Sequence, residues 1–292
     1  MFDDLLDDPQ FRSALETSLG IRARALGGAG WAFERSRFGL RQWELAPLGL
    51  YSAVGVELGP VIDDAPRRAS RVTIHVNPLD PRADESARHA SARGYRVVTR
   101  QTHILPIGTS IESMRRDFHA TKRYEALRKV DAASSIVVAD QQAQLQDYFA
   151  VYEASLARWG RQEFLYPRSL FNALLGCDSV RIWMNYVAGR LACAMVVFYC
   201  RRYAFYWQGV SRVDEDQKRA YPVVKLMDAV LQDLVQSGIG HLNLGASDGL
   251  PKVRAFKESF GAGPATYPTL VHESVPWRVL VAGRQLWRRA PG

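Results

Sequence analysis

Three strand-like runs follow one another without a gap long enough for a helix: Val180 to Tyr186, Leu191 to Tyr199 and Tyr203 to Val210. Gly189-Arg190 and Arg201-Arg202 stand at the reversals, so consecutive runs must pair antiparallel as a meander. Within the middle run, Met195-Val196-Val197-Phe198 is apolar at every position, the signature of a central strand covered on both faces. A chain with such a strand has to place helices above and below a sheet. The next segment supplies one of them: a polar loop, Arg212 to Ala220, leads to Pro222, suited to the first turn of a helix. Val223, Met227, Val230, Leu231 and Leu234 form its apolar stripe, and Ser237-Gly238 closes it. A buried strand (Leu242 to Leu244), a turn of small and polar residues, a short helix with Lys252, Arg254 and Lys257, and a strand over 264–271 complete the pattern. Residues 179–274 therefore read as one mixed α/β unit.

Upstream the reading is coarser. Residues 1–29 form an N-terminal helical segment that starts acidic, turns basic and looks loosely attached. Over 30–110, runs at Trp31–Glu34, Gln42–Leu45, Tyr51–Val56, Val72–Val76 and Tyr95–Thr99 read as strands, with a helix over 81–93 ended by Gly94. Residues 111–178 supply basic connecting helices and the start of the following unit: Ile111 to Ala132, a short strand at Ile136–Val138, and helices over 141–159 and 169–175. The first of these helical stretches is not straight. Ile111, Met114 and Phe118 share a face, but Tyr124 and Leu127 are displaced from it, which predicts a break near His119 to Thr121. In the long helix, Tyr148, Phe149, Tyr152, Leu156 and Trp159 point inward. Residues 275–292 form a basic amphipathic tail with Trp277, Leu280, Val281 and Trp287, read as a helix packed on the body, with membrane-surface contact as the alternative.

Charge narrows the partners. The chain of 292 residues carries a formal charge of +8, which favours anionic ligands such as phosphorylated donors, nucleic acid or a membrane surface. Arg115 to Lys129 holds six basic residues against Asp117 and Glu125, either a solvated helix face or a surface for phosphates in which Arg123 and Arg128 take part. The N-terminus lacks the pattern of a secretory signal, and no run reaches the ~20 apolar residues of a membrane span. Cys177, Cys193 and Cys200 have no ligand-spaced histidines, which suggests buried thiols in a reduced, cytoplasmic protein without a structural metal.

Two stretches carry a family resemblance. Phe118-His119-Ala120-Thr121-Lys122-Arg123-Tyr124-Glu125-Ala126-Leu127-Arg128-Lys129 resembles the basic helix that joins the two units of Fem-type acyltransferases. Asn243-Leu244-Gly245-Ala246-Ser247-Asp248, followed by Val253-Arg254-Ala255-Phe256-Lys257-Glu258-Ser259-Phe260-Gly261, is similar to that family's closing motif with its Phe-Lys pair. Together with the element order over 179–271, they resemble the GNAT superfamily and, within it, the Fem-type branch, over residues 30 to 275. The resemblance implies an α/β (α+β) fold of two tandem GNAT-like units, mixed and mostly antiparallel sheets flanked by helices, the second unit better defined. It also implies transfer of an acyl or aminoacyl group from acyl-CoA or aminoacyl-tRNA, with no permanently bound cofactor. The acceptor would be an amine or hydroxyl of a cell-envelope or polysaccharide-type precursor, met in the cytoplasm or at the inner face of the membrane.

Acyl transfer passes through a tetrahedral oxyanion and needs donors aimed at that oxygen. Trp207, Gln208 and Gly209 of the last meander strand offer backbone groups for this, and Lys218 and Arg219 stand before the next helix, where a donor phosphate would bind. By resemblance, Lys257 supplies positive charge to donor or oxyanion, with Gly245, Ser247, Arg254 and Phe256 around it. The loop Gln217-Lys218-Arg219-Ala220-Tyr221-Pro222 lacks the glycines with which relatives that use coenzyme A approach a pyrophosphate, which weakens the case for ordinary coenzyme A binding. For the general base, Asp248, His241 and Glu258 are open choices, His241 being better explained as structural. No Gly-x-Ser-x-Gly occurs, and Cys177 has no partner His or Asp by spacing. The competing reading is a catalytically silent GNAT-like module that binds RNA or anionic membrane through the basic helix and the tail.

Overall fold

A computed structural model describes residues 2–128, 134–212, 219–247 and 249–289. The chain opens with α1 (Pro9–Leu19), then β1 (Arg22–Ala25), β2 (Trp31–Arg37), β3 (Leu40–Leu45), α2 (Gly59–Arg68), β4 (Arg71–His75), α3 (Ala83–Ala92) and β5 (Arg96–Pro106). Next come α4 (Ile111–Asp117), α5 (Ala120–Leu127), β6 (Ser134–Val138), α6 (Gln142–Arg158) and α7 (Arg168–Leu174). The meander β7 (Val180–Val187), β8 (Arg190–Tyr199) and β9 (Tyr203–Ser211) leads to α8 (Pro222–Gln236), β10 (His241–Asn243), α9 (Pro251–Glu258), β11 (Gly263–Glu273) and α10 (Val275–Arg289). The architecture is mixed α/β, its strands mostly antiparallel and flanked by helices.

The chain divides into two compact units that do not follow chain order. One combines residues up to Leu19 with Thr102–Ala265; the other combines Gly20–Gln101 with residues from Thr266 onward. The division falls inside two strands, β5 and β11.

In the first of these, the meander unit, β6, β7, β8 and β9 pair antiparallel in that order, β10 pairs parallel with β9, and the end of β5 pairs antiparallel with β10. Helix α8 is the crossover that a parallel β9–β10 pair demands. β8 is buried from Leu191 to Tyr199, as its two-sided apolar run predicts. One face of the sheet, with Met195, Val197 and Ala204, packs against Leu226, Met227, Val230 and Leu234 of α8. The other carries an aromatic layer of Phe198, Trp207 and Phe171, extended by Tyr148, Phe149 and Tyr152 of α6. Trp159, expected inward, is 45% exposed because α6 ends one residue earlier.

Helix α1 belongs to this unit, against the expectation of a loose N-terminal segment. Phe11 and Leu15 are fully buried, Phe11 sets its ring edge-on to Phe198 at 5.2 Å, and the Asp8 carboxylate accepts from Ser179 Oγ at 2.5 Å. Residues 22–25, also assigned to that helical segment, form β1 instead.

In the other unit β1, β2, β3, β4 and β11 are neighbours in that order, β3 and β4 parallel and the other three pairs antiparallel. Helices α2 and α3 cover the core of Trp43, Leu45, Ile62, Ala65, Val72, Ile74 and Tyr95. Tyr51–Val56 is a loop rather than a strand. Ser52 N–H bonds to His75 O at 2.8 Å, Gly55 N–H bonds to Asp80 Oδ2 at 3.0 Å, and Gly55 sits at φ +79°, so this backbone is committed to turn bonds. In α10, Trp277 is buried under the Arg71 guanidinium, 5.7 Å from its centroid, whereas Val281 of the same tail is exposed.

Candidate active site

The two sequence stretches that carry the family resemblance meet in the meander unit. Phe118 and Phe260 contact edge to face at 5.1 Å, and His119 N–H bonds to Ser259 O at 2.9 Å. Helices α4 and α5 break at Phe118-His119, where sequence phase predicts it, and this break docks the basic stretch on the C-terminal end of α9. Arg115 anchors the other side: its guanidinium forks onto the buried Asp228 of α8 at 2.8 and 2.6 Å. Part of the basic stretch is therefore structural, since Lys122 is likewise paired with Glu125 at 2.6 Å.

β9 and β10 pair over only three residues, Tyr203–His241, Ala204–Leu242 and Phe205–Asn243. Beyond them the chain after β10 stays with β5, through Leu244 N–H to His103 O (2.8 Å) and His103 N–H to Gly245 O (3.3 Å), while β9 runs on to Ser211 beside β8. The strands part there, so that past Phe205 no strand among the described residues pairs with β9 on that side. A β-bulge sits at the parting point: Val196 faces Gln208 and Val197 faces Tyr206, so Trp207 is the extra residue. Gly209 is needed beside it, since a Cβ there would lie 1.8 Å from the Tyr206 hydroxyl. Gln208 keeps both amide atoms buried with no hydrogen-bond partner among the described residues, an unusual cost for a folded chain. Trp207 stacks on Phe198 at 5.2 Å, so its ring serves the aromatic layer and only its backbone belongs to the bulge.

Lys257 is not the exposed lysine that its short helix suggests. It is 3% exposed, and its ammonium donates to Gly245 O at 2.8 Å and Ala246 O at 2.7 Å. The charge thus fixes the loop that leaves β10. Gly245 makes this possible with φ +74°, and Asn243 Oδ1 accepts from Gly245 N–H (2.8 Å) and Thr102 Oγ1 (2.6 Å).

The same loop brings together a group that sequence reading missed. His103 of β5, its side chain 1% exposed, has Nδ1 3.3 Å from Ser247 Oγ and Nε2 3.7 Å from Glu258 Oε1. Burial and the nearby Lys257 charge hold its pKa below the usual histidine value, against the smaller pull of Glu258. Glu258 is held below the usual carboxylate range, chiefly by Arg254, which bonds to it at 2.8 Å. A neutral imidazole between a part-exposed hydroxyl and a carboxylate is equipped to take a proton through Ser247.

The remaining expected residues are dispersed. Phe256 is partly buried and packs edge to face on the core residue Phe260 at 5.1 Å. Arg254 is exposed and engaged with Glu258. Arg219 is exposed just before Tyr221, which stands at φ 50° and caps α8 without a side-chain bond. Arg128 reaches this helix start, with Nη1 3.3 Å from the Tyr221 hydroxyl, while Lys225 Nζ donates to Arg128 O at 2.8 Å. Arg123 turns back instead to Arg116 O at 3.4 Å. Asp248 and Lys218 lie outside the described residues. His241 pairs in β10 and takes no part in the cluster. Burial raises the thiol pKa values of Cys177 and Cys200 to about 12, and that of Cys193 further still, so these groups are inert thiols.

Residues 115–258, which contain the whole cluster except His103, match the family model described as an acetyltransferase (GNAT) domain. That stretch is a GNAT-type acyltransferase domain. Among solved structures, it is similar to FemX, at 12% identity with a TM-score of 0.71, over 90% of this chain and 93% of that one. L-PGS from Bacillus licheniformis shares the same fold at 14% identity and a TM-score of 0.62, over 95% and 96%. A third likeness is the C-terminal domain of a putative lysylphosphatidylglycerol synthetase from Agrobacterium fabrum, with 12% identity and a TM-score of 0.59, over 96% and 92%. No curated protein matches the sequence significantly. The chain thus has the fold of the Fem-type branch, and among its described residues no helix is long and apolar enough to cross a membrane.

Proposed function

We propose that this acyltransferase moves an acyl or aminoacyl group from acyl-CoA or aminoacyl-tRNA to an amine or hydroxyl of a cell-envelope or polysaccharide-type precursor. The observation that carries the reading is the parting of β9 from β10 beside the Ser247–His103 pair. The donor's carbonyl would lie against β9 past the point where it parts from β10, with a backbone N–H beside the Cβ-free Gly209 to stabilise the oxyanion. The acceptor's proton would pass to Ser247 Oγ as the serine proton moves to His103 Nδ1, and Glu258 would steady the resulting imidazolium. Lys257 then acts as a positioning residue, keeping the carbonyls of Gly245 and Ala246 turned away from the developing charge.

Donor phosphates find support at the start of α8, whose first N–H groups have no side-chain cap and which Arg128, Arg219 and Lys225 border. The glycine-poor loop before it favours aminoacyl-tRNA over coenzyme A, as does the fold shared with a lysylphosphatidylglycerol synthetase domain. Calorimetric titration with acetyl-CoA and with charged tRNA tests the choice. Saturable binding of charged tRNA alone is expected, and saturable binding of acetyl-CoA alone would overturn that preference.

A further inference from the structure

The unit that holds β1 to β4 carries a second site of different chemistry. Strand register places Arg22 opposite Glu34, Trp43 opposite Glu34 and Arg41 opposite Ser36, so Arg22, Arg24, Arg41 and Trp43 all lie on one face of the sheet. Helix α2 covers that face only in part. Its Val61, Ile62 and Ala65 pack on Ala32, Trp43 and Leu45, and the helix ends at Arg68. Beyond this end lies a cavity of ≈ 330 Å³, lined by Arg22, Arg24, Arg41 and Arg68 over Trp43, with no acidic residue in its wall.

Two of the four guanidinium groups are already held by carboxylates. Glu34 receives Arg24 Nε at 2.9 Å and Nη2 at 3.0 Å, and its other contact, Trp43 Nε1 at 2.9 Å, pins the carboxylate to the floor. Asp64 holds Arg68 at 2.5 Å. The guanidinium groups of Arg22 and Arg41 have no ion-pair partner among the described residues, although Arg41 contributes to holding Glu34 below the usual carboxylate range, chiefly an effect of Arg24. Glu34 and Asp64 compensate Arg24 and Arg68, so the charges of Arg22 and Arg41 are the ones an entering anion would offset. The planar forks suit tetrahedral oxyanions with several acceptors, and the charge suits a dianion better than a single carboxylate.

We propose that this cavity binds a phosphate-bearing ligand, either a free phosphate or diphosphate group or the headgroup phosphate of a lipid. It is separate from the acyl-transfer site in chemistry and in residues, and it stands whether or not that reading holds. The volume admits a headgroup or a diphosphate, near the low end of the ~300–1,000 Å³ typical of ligand pockets.

The test uses the full chain and the double variant Arg22→Gln/Arg41→Gln, which removes the two unpaired guanidinium groups and leaves both ion pairs intact. A control, Arg37→Gln/Arg96→Gln, removes the same charge from the same unit outside the cavity. Inorganic pyrophosphate is titrated calorimetrically, and sedimentation is measured with vesicles of phosphatidylglycerol and of phosphatidylcholine. The proposal expects saturable pyrophosphate binding or selective sedimentation with phosphatidylglycerol, weakened about tenfold or more in the cavity variant and little in the control. Pyrophosphate binding without sedimentation identifies a soluble ligand; sedimentation lost in the cavity variant identifies the lipid. Absence of both, or equal losses in the two variants, would overturn it.

Discussion

Ser247 Oγ lies 3.3 Å from Nδ1 of His103, a residue 144 positions earlier in the chain. The serine is part-exposed and the histidine buried, so in the proposed reaction the hydroxyl would carry the proton to the imidazole. Ser247→Ala should lower kcat by about 10²-fold, the low end of general acid–base contributions, with KM changed little. Steady-state kinetics with a saturating donor checks this. A loss confined to KM would assign Ser247 to binding instead.

The pH profile depends on the same pair. Lys257, Arg254 and Glu258 face His103, and the net result holds its pKa below the usual ~6.5. The base is active when neutral, so kcat should stay flat from neutral pH down past ~6.5 and fall only below it. Lys257→Met removes a repelling charge and should move this acidic limb upward in pH. The same substitution strips a charged donor from two carbonyls, which predicts a stability loss of about 2–4 kcal/mol in urea denaturation.

Arg115 and Asp228 form a clamp between α4 and α8 with both partners largely buried. Arg115→Met leaves the carboxylate uncompensated and should cost about 3–5 kcal/mol. Adding Asp228→Leu should restore most of it, because an apolar pair avoids the desolvation of both charges. Urea midpoints of the two single variants and the double variant give the coupling.

Gly209 and Tyr206 exclude each other's growth. Gly209→Ala drives a methyl into the phenol, and overpacking of this kind costs about 1–3 kcal/mol. Tyr206→Leu in the same chain should recover part of that loss, which thermal unfolding would register as a higher Tm than that of Gly209→Ala alone.

His75 gives the other unit its own acid sensitivity. Burial first, and Arg100 second, bring its pKa down to about 4, while Nδ1 meets Thr269 Oγ1 at 3.0 Å. Between ~6.5 and that value the unfolded chain binds more protons than the folded one, so stability present above ~6.5 is lost as pH falls. His75→Gln should flatten the change in urea midpoint between neutral pH and about pH 5; His103 and His272, shifted the same way, leave a residual slope.

Much of the meander unit could be read from periodicity. The alternation over Val180–Val210, the doubly apolar β8, the stripe of α8 and the phase slip at His119 are local signals, and each appears in the structure. Other features escaped for physical reasons. Helix α2 was hidden by Pro60 and Pro66, one at the helix start and the other inside it. Tyr51–Val56 alternates like a strand but spends its backbone on Asp80 and His75. His103 sits in an ordinary-looking strand, and its partners lie far along the chain, so nothing near it in sequence marks it. The burial of Lys257 depends on two carbonyls waiting at Gly245 and Ala246, a tertiary fact that helix periodicity does not encode.

The central claim is acyl transfer with proton removal through Ser247 and His103. Single-turnover product formation by the wild-type chain and by His103→Gln, with charged tRNA and with acetyl-CoA as donors and folding checked by circular dichroism, tests it most directly. The account predicts transfer by the wild type from at least one donor, and a rate about 10²-fold lower in the folded variant that does not recover on raising the donor concentration. Equal rates for the two proteins would contradict it.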